Sequence, residues 1–153
     1  MLSRNVYNTL SNSLTKWYGL FSIIALNTPG RGIGSIASHI LKEYFKDLEI
    51  LDLDEIGHEV LQYGHIQNKL DKVLGTHNRK ILSGIVFEDP EKLQLLNDIV
   101  HPELYRKTWV KLCKTKGHVI IVGALIHEIK LAPCCNIIVT IDAKDENIKN
   151  HIG

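Results

Sequence analysis

The first 42 residues contain no aspartate and no glutamate. Cysteine is scarce throughout, with three in 153 residues, two of them adjacent at Cys134 and Cys135. That usage, with no C-x-x-C pair, argues against a disulfide framework and a thiolate zinc site, and fits reduced thiols in a cytoplasmic protein. Net charge is also small: 18 basic against 17 acidic side chains leave +1. No strong field points to nucleic acid or a membrane surface as a partner. Long apolar runs are missing too, and the best candidate, "YGLFSIIAL", is too short to span a bilayer. No repeat and no low-complexity tract occurs.

What is present is an ordinary globular composition, 44% apolar and 23% charged, in a length that suits one domain with a real core. Residues 1–19 read as an N-terminal extension, with Val6, Leu10 and Leu14 on one face of a helix. The acid-poor, serine-rich start has the composition of a transit peptide, but Arg4 and Lys16 are few basic residues for one, so a plain extension is expected.

Four short β-branched or apolar runs predict strands: 21–27, 48–54, 118–124 and 136–142. Pro29 and Gly30 end the first, and residues 35–45 follow with Ile36, Ile40 and Phe45 near helical spacing. Residues 55–116 are helical in pattern. Gly75 predicts a C-cap, Asp89 with Pro90 an N-cap followed by N1, and Pro102 the opening of a further helix that closes on basic residues and Gly117. Uniform β-runs separated by helices predict an α/β fold with a parallel sheet and a helical insert after strand two. Such an insert would cover the C-terminal edge of the strands, where these sheets bind ligands.

Three stretches could carry chemistry. The first is "TPGRGIGS", a glycine-rich turn between a strand and a helix. Backbone N–H groups in such a turn, with the partial positive charge of a helix N-terminus, hold phosphate. Matching Ser35 to the hydroxyl of the G-x-x-x-x-G-K-[ST] motif puts Gly34 at the lysine, Ile33 at the last glycine and Thr28 at the first, so three of four fixed positions fail. An ordinary turn is the commoner meaning of such a loop.

The second stretch is "LDLDEIGH". Asp52 and Asp54, two apart at the end of a strand, would share one side and could take a proton from a hydroxyl or hold a hydrated Mg2+. Equally, Asp54 could simply cap the following helix. His58 lies one turn further on. The third comprises "IVHPELYRK" with His101, Pro102 and Arg106, Arg79 in "HNRKIL", and His127 with Glu128 after strand three. Taken singly, these are solvated or capping residues as readily as ligands, and Trp17 and Trp109 suit packing.

Taken together, "LDLDEIGHEVLQYG", "NRKILSGIVFEDPEKLQLLNDIVHPELYRK" and "HVIIVGALIHE" resemble the dephospho-CoA kinase family in order and spacing, over residues 21–142. The resemblance implies a P-loop nucleotide-kinase-like α/β fold over residues 20–153 with a helical acceptor-binding insert at about 55–116. It implies transfer of the ATP γ-phosphate to the 3′-hydroxyl of dephospho-CoA, the last step of coenzyme A biosynthesis, with ATP and Mg2+ as cofactors. Asp54 and Asp52 match the acidic pair at the reacting hydroxyl. Pro29, Gly30, Arg31, Gly32, Ile33, Gly34 and Ser35 match the phosphate loop, with Ser35 on the metal. His58, Arg79, His101 and Pro102 match the acceptor side.

Two features depart from the family pattern. The loop has no lysine, and the family's arginine-bearing lid and last strand and helix have no counterpart before Gly153. The first departure leaves open a relative that binds a CoA-like ligand or a protein without catalysis. The second predicts an open sheet edge on the flank of strand one, and self-association through it. A copy without function is the third reading.

Overall fold

A computed structural model describes residues 22–29 and 33–141. The N-terminal extension, loop residues 30–32 and residues 142–153 lie outside the described residues. Strand β1 (Ser22–Asn27) is followed by helix α1 (Ile33–Tyr44), β2 (Glu49–Asp52), helices α2 (Leu53–Val60), α3 (Gly64–Leu74), α4 (Arg79–Phe87) and α5 (Pro90–Lys114), then β3 (His118–Gly123), a short 3-10 turn at Ala132–Cys134, and β4 (Ile137–Thr140). Every strand pair is parallel, and the order across the sheet is β2-β3-β1-β4. The α/β parallel fold expected from the sequence is the fold observed.

The strands read as unbroken apolar runs because both faces of the sheet are covered. Ile24, Leu26, Ile120 and Val122 point to one face and pack against Ala37 and Leu41 of α1. Ile23, Ala25, Val119 and Ile121 point to the other, beneath Ile56 of α2, Leu104 and Leu112 of α5, and Ile126, Ile129 and Leu131 of the segment after β3. The helices between β2 and β3 have a core of their own, in which Val60, Ile66, Leu70 and Leu82 are fully or nearly fully buried. Each such side chain contributes about 1.5–3 kcal/mol relative to exposure.

The helix ends follow their caps. Asp89 accepts from the N–H groups of Glu91 and Lys92, with Pro90 at the first helical position. Gly75 closes α3 at φ 80°, a left-handed conformation that glycine adopts without a Cβ penalty. Asn78 caps α4 through Lys80 N and Ile81 N.

Several expectations differ from the observed elements. Helix α1 starts two residues early, at Ile33, because Ile33 and Gly34 are already buried in its first turn. Strand β2 stops at Asp52, where α2 begins. Pro102 opens no helix; it lies inside the 25-residue α5. Proline removes one N–H from the ladder, but α5 is held by packing on both sides of it. Leu96, Ile99 and Val100 join the insert core, while Leu104 and Leu112 join the sheet core. Finally, β1 has no free flank, since β3 and β4 occupy its two sides; the edge strands among the described residues are β2 and β4. Among the described residues no helix is long and apolar enough to cross a membrane.

Candidate functional site

At the C-terminal edge of the sheet, the ends of β1, β2 and β3 converge on the first turns of α1 and α2. Thr28 N donates to Gly123 O at 3.0 Å and so closes the end of β1 against β3. A Cβ on Gly123 would lie 2.8 Å from Leu53 Cβ and Cδ1, so only glycine lets α2 start this close to β3. A Cβ on Gly34 would lie 3.2 Å from Thr28 Oγ1 and 4.0 Å from Asp54 Oδ2. These two glycines bring the end of β1, the N-terminus of α1 and the start of α2 into contact. Thr28 is 3% exposed, and its hydroxyl has no hydrogen-bond partner among the described residues; Asn27 Oδ1 is likewise unpartnered.

Asp52 and Asp54 do not share a strand face. Asp52 is the N-cap of α2, 3% exposed, with its Oδ1 accepting from Asp54 N at 2.9 Å. The physical reason is the local competition a short carboxylate always offers: capping frees the chain from the β ladder and starts a helix. Asp54 therefore sits in the first turn and faces outward.

There it lines a cleft of about 520 Å³ between the sheet edge and the insert, together with Ser35, His58, Arg79 and His101. Five candidate residues from four helices thus meet in one place. Leu61, Leu82, Val86 and Val100 give the cleft apolar walls, a mixture of apolar lining and few polar groups that suits a small-molecule site. Pro102 is not part of it. Pro29 is half-buried beyond β1, and Ile33 and Gly34 are buried in α1. Gly30, Arg31 and Gly32 lie outside the described residues.

Burial pushes the Asp54 carboxyl above the ordinary carboxylate range, and the neighbouring Asp52 charge adds to this; His58 and Arg79 oppose it. A carboxylate made more basic in this way is a better proton acceptor near neutral pH. Arg79 is the first residue of α4 and makes no ion pair within 4 Å among the described residues. Its guanidinium therefore gives the cleft positive charge that suits phosphate, and the His58 imidazole lines the same wall. Burial lowers the His101 pKa, opposed by Glu128 and Asp98. The Ser35 hydroxyl and the Asp54 carboxylate are hard oxygen donors on one cleft, a set that fits Mg2+ completed by water and phosphate. Among the described residues no cluster of three His, Cys, Asp or Glu forms a dedicated metal cage.

Sequence reasoning missed three contributors. Asn97 lies one helical turn before His101 and lines the cleft with it; the i, i+4 spacing was visible, but not that this helix face is concave. Thr28 stood in the loop motif with no sign that its hydroxyl would be buried. Gly123 followed an apolar run and gave no sign of close approach.

The model of a family described as dephospho-CoA kinase matches residues 23–151. A dephospho-CoA kinase of Dehalococcoides mccartyi is 43% identical over 81 residues, 46% of this chain and 40% of that protein. One from Borrelia garinii subsp. bavariensis is 31% identical over 124 residues, 76% of this chain and 60% of its own length. The chain thus spans about half the length of these curated relatives. A crystal structure from Thermus thermophilus superposes with a TM-score of 0.67 at 23% identity, over 88% of this chain and 72% of that one. A dephospho-CoA kinase from Campylobacter jejuni gives 0.54 at 11% identity, over 88% and 95%. At these identities the two structures speak for the fold.

Proposed function

The chain belongs to the dephospho-CoA kinase family, and from that premise we propose that it binds dephospho-CoA in the cleft beside Asp54 and phosphorylates its ribose 3′-hydroxyl at the expense of ATP. The observation that carries this reading is the convergence of Ser35, Asp54, His58, Arg79 and His101 on one cleft at the C-terminal edge of a parallel sheet. Sheets of this kind bind ligands there.

Asp54 receives the proton of the 3′-hydroxyl. The hydroxyl oxygen bonds to the γ-phosphorus, the bond from that phosphorus to the β–γ bridging oxygen breaks, and ADP leaves. Arg79 and His58 hold the acceptor's phosphates, and the apolar walls exclude water around the reacting centre. Asp52 acts on the chain rather than on the substrate, by fixing the start of α2 and so the direction of Asp54. Mg2+, held with water by Ser35 and Asp54, would supply neutralisation of phosphate charge.

The crowding of Gly34 supports a loop register different from the one that matches Ser35 to the motif's hydroxyl. With Gly34 as the last glycine of G-x-x-x-x-G-K-[ST], Pro29 stands at the first glycine, Ser35 at the lysine and Ile36 at the hydroxyl. Ser35 then remains the hydroxyl facing the cleft, but the ammonium that would pair with the β- and γ-phosphates is missing. This one observation favours a second reading, in which the chain binds the acceptor and transfers slowly or not at all.

A coupled assay of ADP release separates the two. Transfer predicts release that depends on dephospho-CoA and falls about 10²–10⁴-fold in Asp54→Asn. Release indifferent to dephospho-CoA or to Asp54→Asn contradicts transfer at this site.

A further inference from the structure

The mechanism above makes no use of Thr28. Its backbone is fixed at the end of β1. Thr28 N donates to Gly123 O at 3.0 Å, and a residue before proline, here Pro29, is confined to extended conformations. A β-branched side chain on such a backbone is stiff at χ1. The hydroxyl therefore has a set direction, and it meets the first turn of α1. Its Oγ1 lies 3.2 Å from the point where a Cβ on Gly34, the second residue of that helix, would sit. Asp54 Oδ2 lies 4.0 Å from the same point. Thr28 and the carboxylate that receives the acceptor's proton thus stand beside one residue that has no side chain.

Thr28 is 3% exposed, and its hydroxyl has no hydrogen-bond partner among the described residues. A buried donor left in this state destabilises the folded chain, and native structures keep few of them. Valine would fill nearly the same space with no unpaired group, so packing alone does not account for the hydroxyl. Two features say what kind of group would complete it. The first N–H groups of a helix have no partner within it and, with the helix dipole, attract anions. Helix α1, 12 residues long, turns that end toward Thr28. On the other side, Asp54 acts on the hydroxyl that an incoming phosphoryl group must approach. A donor between these two places meets the oxygens of that group, and the loop from Thr28 to Ser35 has no lysine to do so.

We propose that the Thr28 hydroxyl donates a hydrogen bond to an oxygen of the transferred phosphoryl group, as a neutral donor in a loop without an ammonium. This rests on the transfer reading above and deepens it. The hydroxyl is unsatisfied in the free protein and satisfied when the group enters, so its cost to the fold is recovered only in the bound state. The contact requires the first turn of α1 to yield slightly, which Gly34 permits because it has no side chain to repack. One neutral donor neutralises less charge than an ammonium, so slow transfer is the expected consequence.

The test compares ATP·Mg2+ with ADP·Mg2+, which lacks the transferred group, by calorimetry on the full chain. The Tm of the ligand-free protein is read in parallel. Thr28→Val removes the hydroxyl and keeps the branched shape, whereas Thr28→Ser keeps the hydroxyl. Thr28→Val is expected to weaken ATP·Mg2+ about tenfold and ADP·Mg2+ less than about twofold. The same change is expected to raise the ligand-free Tm by about 2–4 °C, because it deletes an unpaired buried donor. Thr28→Ser should hold ATP·Mg2+ affinity within about twofold of wild type. A lower Tm in Thr28→Val would mean that the hydroxyl serves the fold. Equal losses on both nucleotides, or none on either, would put the phosphoryl group out of its reach. Each of these results overturns the proposal and leaves transfer at Asp54 standing. No binding of ATP·Mg2+ to wild type overturns both.

Discussion

Asp52 Oδ1 accepts the backbone N–H of Asp54 at 2.9 Å, so two carboxylates that look like a pair in the sequence divide their work. The buried one starts α2, and the outward one reaches the cleft. Asp52→Ala should therefore cost about 0.5–2 kcal/mol through the lost cap. In a domain of this size that is a fall of roughly 1–8 °C in Tm. Asp52→Asn keeps a capping oxygen and should lose much less. Thermal denaturation of both variants checks this, and equal losses would remove the capping role.

The raised Asp54 pKa has a definite sign. Burial and Asp52 raise it while His58 and Arg79 lower it, so deleting Arg79 must raise it further. The acid limb of any Asp54-dependent rate then moves to higher pH in Arg79→Ala. Carboxyl 13C NMR of Asp54 reads the same shift without requiring turnover. A titration that moves downward in Arg79→Ala would show that the guanidinium does not face the carboxylate.

Gly123 and Gly34 are predicted to differ in their tolerance of a methyl group. Gly123→Ala drives a Cβ to 2.8 Å from Leu53, at the first residue of α2, and should cost about 1–3 kcal/mol by overpacking. Gly34→Ala meets the Thr28 hydroxyl at 3.2 Å, which a small rotation relieves, and should cost less. Urea denaturation of the two variants decides the order.

The loop register makes a sharper statement. If Ser35 stands at the lysine position rather than on the metal, Ser35→Lys should tighten ATP·Mg2+ about tenfold, the worth of one charge-assisted contact of about 1.5 kcal/mol. Gly34→Lys places its Cβ against Thr28 and should destabilise the chain with no gain in ATP affinity. Calorimetry on both variants tests the register, and a gain in Gly34→Lys alone would restore the match of Ser35 to the motif's hydroxyl.

His101 supplies a pH effect on stability. Burial holds its pKa below the ordinary 6.5, with Glu128 and Asp98 opposing. A lowered folded pKa means stability that is present above 6.5 and lost as pH falls through the lowered value. His101→Gln should flatten denaturation midpoints over that interval. An unchanged slope would exclude a contribution from this ring.

The strands were legible because runs such as "HVIIVG" are buried on both faces and need no alternation. The caps Asp89 and Gly75 were legible in kind because each satisfies a local rule of backbone chemistry. What could not be read depends on tertiary contact. Pro102 is a local stop signal, overridden by packing on both sides of it in α5. Asp54 was assigned to a strand because period-two spacing says nothing of which carboxylate will cap. The cleft residues Ser35, Asp54, His58, Arg79 and His101 were visible singly, but only the insert's packing brings them together. Asn97, Thr28 and Gly123 had no local signal of their roles.

The proposed function requires an acceptor site that survives beside a donor loop without its lysine. The most direct measurement is a calorimetric titration of the pure chain with dephospho-CoA and, separately, with ATP·Mg2+. Dephospho-CoA is predicted to bind, and to bind more tightly than ATP. Tighter binding of ATP, or no heat from dephospho-CoA, would contradict the claim.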